Sequence, residues 1–391
     1  MKTLFYVGLE PYEARYTLQL SDWNRRAFEA AGISYVEVPG TTLTTDKAIV
    51  TGQVLDAHGR SYFALSQMMW IVAALKEGRL AADDVLYFED MFHPGIEALP
   101  YIFNQTPAAC RPKVFVRCLA QTIDPDDFVH VWGMYPWMSK YEHLVNDFVD
   151  GVLATNEEMV AHAKIAGWTA PMYNISGLAF STQEVQSRVS AVPFAARPLR
   201  VAFAARWDQE KQPDFFMDVI EYWRSRADLP DVEFVVLTGS SALRSNNPAC
   251  LERAEAMRAS GALTVKTGLS KNAYYENLAA SRVLFNCALQ DWVSNTVSEA
   301  DALGTNVVYP AYRSFPEVFA NDHTRLYTPW SVEHAVEKIH AALTAPHPKQ
   351  GRIADWNNAT VNRVLSILSG SGEHWRRNST DYRGHTRHSK Y

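Results

Sequence analysis

The chain has 391 residues, 47% of them hydrophobic and 20% charged, with a formal net charge of −6. That length exceeds one ordinary domain and suits two α/β domains that each bury a core. The negative balance excludes a general attraction to nucleic acid or anionic membrane, so any such partner must be met by a local patch. Four cysteines in separate segments (Cys110, Cys118, Cys250, Cys287) form no C-x-x-C pair, which excludes a zinc ribbon, a thioredoxin-type site and a disulfide framework; they read as reduced core residues.

The first apolar run stops before Glu10 and Glu13 and reads as a buried strand, not a signal peptide. No run reaches the roughly 18 apolar residues of a membrane span, so a soluble, cytoplasmic protein without a span is expected. Strands are predicted over 4–8, 34–38, 85–89, 114–118, 151–155 and 172–175. Helices fill the gaps, notably 15–31 and 61–76, where apolar residues recur at three and four. This alternation is the pattern of a parallel sheet covered by helices. A polar, proline-bearing stretch over 181–198 breaks it and reads as a linker between a first domain, 1–180, and a second, 199–345. The second half restarts with strands over 199–205, 232–238, 263–266, 283–287, 306–309 and 325–327. One more helix, 356–368, and a polar tail make up 346–391. The expected fold class is therefore α/β, two Rossmann-like doubly wound domains facing a cleft, with ligands at the carboxyl ends of the strands.

Those strand ends carry the candidate chemistry. Arg206 and Lys211 follow the strand at 199–205, where two cations neutralise a diphosphate without a metal. The alternative is a surface pairing with Asp208 and Glu210. Asp291 follows the strand at 283–287 and reads either as an acceptor of sugar hydroxyls or as a turn former. Thr296-Val297-Ser298-Glu299 fits a capping box, and the same helix start offers N–H groups and a positive dipole to an anion. Asp90 and His93 follow a first-domain strand and are candidate catalytic residues facing the cleft, against the plain alternative that most lone histidines are not catalytic. Asp124-Pro125-Asp126-Asp127 contains a D-x-D, the carboxylate pattern of a divalent-metal site, but Pro125 makes a turn and helix start the better reading, and no metal is expected. Between 373 and 391, five Arg or Lys stand against two acids, with Trp375, Tyr382 and three histidines interleaved. This is either a solubilising tail or a nucleic-acid contact.

The run Arg206 to Lys211 resembles the R-x4-K element, and Asp291 to Gly304 the E-x7-E-A-x-x-x-G element, of retaining GT-B glycosyltransferases of the family 4 type. Asn174-Ile175-Ser176-Gly177-Leu178 similarly resembles the N-G-V segment that ends their first domain. The resemblance implies a GT-B architecture with a nucleotide-sugar donor in the second domain and the acceptor in the first, and no cofactor. It implies that Arg206 and Lys211 hold the donor diphosphate, Glu299 the ribose, Asp291 the transferred sugar, and Ser294, Asn295 and Thr296 the phosphate end of the donor. Asp291 stands where the pattern has glutamate, Gln212 where it has glycine, and Val293-Ser294 where it has Phe-Gly. Segments 5–13 and 308–317 also resemble glycosyltransferases encoded by large tailed phages, which suggests hydroxymethylated DNA bases as acceptor and a host cytoplasm as location. A glycan or lipid-precursor acceptor, and a non-catalytic nucleotide-sugar-binding module, remain the alternatives.

Overall fold

The structure is a computed structural model that describes residues 3–11, 16–43, 57–119, 121–245, 247–289, 291–319, 322–346 and 356–370. Tyr12, Glu13, Arg15, Gln290 and the basic tail lie outside the described residues. In the first half the strands are β1 (Leu4–Val7), β2 (Tyr35–Glu37), β3 (Val85–Phe88), β4 (Lys113–Arg117), β5 (Gly151–Ala154) and β6 (Met172–Asn174). All pair in parallel, in the order β2-β1-β3-β4-β5-β6, with Val85 opposite Leu4 on one side and Lys113 on the other. In the second half β7 (Arg200–Phe203), β8 (Glu233–Leu237), β9 (Thr264–Lys266), β10 (Val283–Phe285), β11 (Asn306–Pro310) and β12 (Leu326–Tyr327) form an all-parallel sheet ordered β12-β11-β10-β7-β8-β9. Each strand lies where the sequence pattern puts one.

The central strands are continuous apolar runs because helices cover both faces of a parallel sheet. The four residues of β1 and of β3 and the three of β10 are all buried. Winding reverses between β1 and β3, and again between β7 and β10. At such a switch point the two flanking connections leave in opposite directions and open a crevice beyond the strand ends.

The stretch 181–198 is structured, where a plain linker was expected. Ser181 Oγ accepts from Glu184 N (3.3 Å) to start a helix, Thr182–Ser187, and buried Arg197 donates to the carbonyls of Ser281, Leu303 and Gly304. The helix Trp356–Leu368 packs against Tyr16–Ala30 of the first half, and Thr360 Oγ1 donates to Ser176 O (3.2 Å). Three cysteines are buried; Cys110 is half-buried, against expectation. Among the described residues no helix is long and apolar enough to cross a membrane.

Candidate functional site

At the switch point of the second sheet, the loop after β10 is folded back by Asn286. Its Oδ1 accepts from Ala288 N (2.9 Å) and its Nδ2 donates to Ser294 Oγ (3.2 Å). The loop thereby delivers Asp291 and starts the helix Asn295–Ala302. Ser294 sits at the N-cap position but provides no side-chain cap; its carbonyl accepts from Ser298 N and Oγ, both at 3.0 Å. The uncapped helix start, with Thr296, faces a narrow crevice also lined by Ala204, Ala205, Lys211, Asn286 and Ala288. Asn295 opens the helix beside it.

Lys211 ends a 3-10 turn, Gln209–Lys211, and is 8% exposed, with Nζ 3.0 Å from Asp291 Oδ1. Sequence reasoning placed these two at one ligand, and the fold brings them together across the switch point. Arg206 stands apart. Its side chain is 46% exposed and pairs with Glu210 (2.6 Å) and Asp208 (3.6 Å), the surface pairing weighed as its alternative. Gln212 has φ 55 and ψ 50, the left-handed region that a glycine adopts without strain, which accounts for glycine in the motif it departs from.

Glu299 does not close a capping box. The N-cap is Ser294 rather than Thr296, so Glu299 lies in the second turn, beyond the free N–H groups. It is 4% exposed, and its carboxylate accepts from Lys271 Nζ (2.6 Å), Tyr275 OH (3.0 Å) and Tyr274 OH (2.9 Å). These partners stand on the helix Lys271–Ala279, which follows β9 at the same edge of the sheet. Nothing in the spacing of Lys271, Tyr274 and Tyr275 marks them as partners of a residue 24 to 28 positions away.

Across the cleft, the strand ends of the first sheet hold a buried ionic cluster. Arg60 bridges Glu10 after β1 (3.3 Å) and Asp90 after β3 (2.5 Å) and donates to Phe92 O (2.6 Å). Gln121 Nε2 donates to Asp90 Oδ1 (3.1 Å). Burial raises the Asp90 carboxyl, and the Arg60 charge opposes it. His93 is buried beside Phe88, with Nε2 3.0 Å from Gln67 Oε1. Burial, then Arg60, lower its pKa to about 3, so the ring is neutral at ordinary pH.

The D-x-D segment turns as expected, Asp124 Oδ1 accepting from Asp126 N (3.0 Å). Its position was not foreseen. Arg313 of the second domain pairs with Asp126 (2.5 Å) and Asp124 (3.5 Å), so the loop lies on the domain interface. Asp127, fully buried, is raised to about 7 by burial and by Asp124, while the charges of Lys211 and Arg206 on the opposite domain lower it. Among the described residues no three metal-ligating side chains gather.

Both sheets thus aim their switch points at one cleft. No family model and no curated protein matches the sequence, but solved structures match it along nearly its whole length. Sucrose-phosphate synthase from Thermosynechococcus elongatus superposes with a TM-score of 0.62 at 12% identity, over 94% of this chain and 95% of that one. The chain has the GT-B fold. An α,α-trehalose-phosphate synthase (UDP-forming) from Burkholderia vietnamiensis gives a TM-score of 0.58 at 12% identity (95% and 98% covered), and Anabaena HepE in complex with UDP-glucose 0.56 at 12% (93% and 99%). At such identities the likeness establishes the GT-B fold alone, since one fold serves many chemistries.

Proposed function

We propose that this GT-B protein is a glycosyltransferase that binds a nucleotide-sugar in the crevice between β7 and β10 and transfers the sugar, with retention, to an acceptor held at the strand ends of the first sheet. The observation that carries the reading is buried Lys211 paired with half-buried Asp291 beside an uncapped helix start. A diphosphate there meets the Lys211 ammonium and the helix dipole together, while Asp291 Oδ2 accepts a sugar hydroxyl. Asn295 and Thr296 supply backbone donors to phosphate and Glu299 holds the ribose. Arg206 leaves its exposed carboxylates to join the leaving group. The bond from the anomeric carbon to the diphosphate breaks with its electron pair going to the phosphate oxygen. The acceptor hydroxyl bonds on the same face, and its proton passes to the departing phosphate.

Hydroxymethylated DNA is the acceptor suggested by the phage-like segments and the basic tail. Residues 1–180 carry 13 Lys or Arg against 21 Asp or Glu, so the first domain has no cationic excess for a polyanion and the tail must supply it. A neutral glycan is the second reading, favoured by that acidity and by exposed Trp132, Tyr135 and Trp137, which follow the D-x-D loop, Trp137 lying beside Phe92. The test incubates the protein with a panel of radiolabelled nucleotide-sugars and each acceptor. Product mass and anomeric configuration follow from mass spectrometry and NMR, and transfer is expected to survive EDTA. Binding without transfer or hydrolysis would leave a nucleotide-sugar-binding module. Lys211→Ala is expected to raise the barrier to turnover by about 2 to 4 kcal/mol, with the circular dichroism of the fold retained. Unchanged turnover in the Lys211, Arg206 double Ala variant would remove both cations from the site.

A further inference from the structure

Glu299 is already occupied on both oxygens. Oε1 accepts from Lys271 Nζ and Tyr275 OH, and Oε2 from Tyr274 OH. Burial and the Glu299 charge push the titration of both phenols upward, so both hydroxyls stay protonated and act as donors. A carboxylate has about four lone-pair positions, two on each oxygen. Three are filled, and the one left is on Oε2.

The occupants are held in place. Tyr275 is fully buried, and its hydroxyl also accepts from Gln19 Nε2 (3.2 Å) of the first domain. The Lys271 ammonium lies 5.1 Å and 4.7 Å from the ring centres of Tyr274 and Tyr275, so cation–π contacts reinforce its ion pair. A ribose approaching this carboxylate brings two adjacent hydroxyls and finds one open position.

We propose that Glu299 takes a single hydroxyl of the donor ribose, with Lys271 filling the position a second hydroxyl would need, so that the site accepts ribonucleotide and deoxyribonucleotide donors alike. The proposal rests on the reading of Glu299 as the ribose residue. When either the 2′ or the 3′ hydroxyl is missing, the other takes the open position; only loss of both leaves it empty.

The experiment is calorimetric titration of the full chain with UDP, ADP, GDP and CDP, followed by the 2′-deoxy, 3′-deoxy and 2′,3′-dideoxy forms of the tightest. Each single deletion is expected to change Kd by less than fivefold and the double deletion by tenfold or more. A loss of fivefold or more from either single deletion, or a smaller loss from the double one, overturns the proposal. In Lys271→Met a second position opens, and at least one single deletion then costs fivefold or more; unchanged ratios also overturn it. Failure of the underlying reading looks different. In that case no diphosphate binds, or Glu299→Gln binds the intact diphosphate as tightly as the wild type.

Discussion

Asp127, Glu142 and His93 are buried groups whose proton affinities move in opposite senses. Burial raises Asp127 to about 7, with Asp124 adding to it, and raises Glu142 to about 7 against the Thr122 hydrogen bonds; burial lowers His93 to about 3. Unfolded, the carboxyls titrate near 4 and the imidazole near 6.5. Between about 4 and 7 the folded chain keeps carboxyl protons that the unfolded chain has lost, so their contribution falls as pH rises, by about 1.4 kcal/mol per pH unit for each group in mid-window. Below about 6.5 the unfolded histidine gains a proton that folded His93 refuses, so its contribution falls as pH drops. The two oppose each other up to about 6.5, and only the carboxyls act above it. The thermal midpoint is therefore expected to decline from pH 6 to pH 8, and Asp127→Asn to flatten that decline. An undiminished slope in both Asp127→Asn and Glu142→Gln would sink this account. At the same scale, Gln212 was legible as a departure from a motif, but its left-handed φ was not. That conformation costs a non-glycine residue about 1 kcal/mol, and Gln212 Oε1 accepts from Trp330 Nε1 (3.1 Å).

The element that organises the cleft is the loop after β10 together with the segment after β11. Ser314 Oγ ties them, donating to Asp291 O (2.9 Å) and Trp292 O (2.7 Å). From there the second domain grips the first. Trp292 packs into a first-domain core cluster beside His162, and its carbonyl accepts from Asn156 Nδ2 (2.9 Å). The Glu317 carboxylate accepts from Glu157 N (2.7 Å) and Glu158 N (3.3 Å) at the start of the helix Glu157–Ile165. A carboxylate at a helix N-terminus contributes about 0.3 to 2 kcal/mol, and Arg313 adds its pairing with Asp124 and Asp126. Replacing Glu317 and Arg313 by Ala is expected to open the cleft, seen as a larger radius of gyration in small-angle scattering, with secondary structure unchanged. Identical scattering curves for variant and wild type would reject the grip. Sequence placed the helix Asn295–Ala302 well, but the Thr296–Glu299 capping box it also offered does not form, because the choice between Ser294 and Thr296 as N-cap depends on how the loop folds back on Asn286.

Charge is unevenly divided over the whole molecule. The first 180 residues are acidic, and the segment 373–391 carries five basic residues against two acids. If DNA is the acceptor, deleting 374–391 is expected to weaken binding to hydroxymethylated duplex and to flatten its salt dependence, because each phosphate contact releases counterions. Donor affinity, measured with the matching nucleoside diphosphate, should not change. Salt-insensitive binding by the full chain, with ready transfer to a small glycan, would exclude the DNA acceptor.

The twelve strands and the two doubly wound sheets were readable from the chain alone, as were Lys211 and Asp291 as residues that leave neighbouring strand ends, though not their ion pair. Apolar runs of four to six residues separated by helical periods permit few other arrangements, and switch points put ligands at strand ends whatever the side chains. Distant partnerships were not readable. That Lys271, Tyr274 and Tyr275 fill three positions on Glu299, that Arg60 joins Glu10 to Asp90, and that Arg313 claims the D-x-D carboxylates each depend on tertiary packing, the first two within one domain and the third between the two. Side-chain pairing between residues 24 to 189 positions apart leaves no periodic trace in one sequence; tertiary packing, within each domain and between the two, decides it.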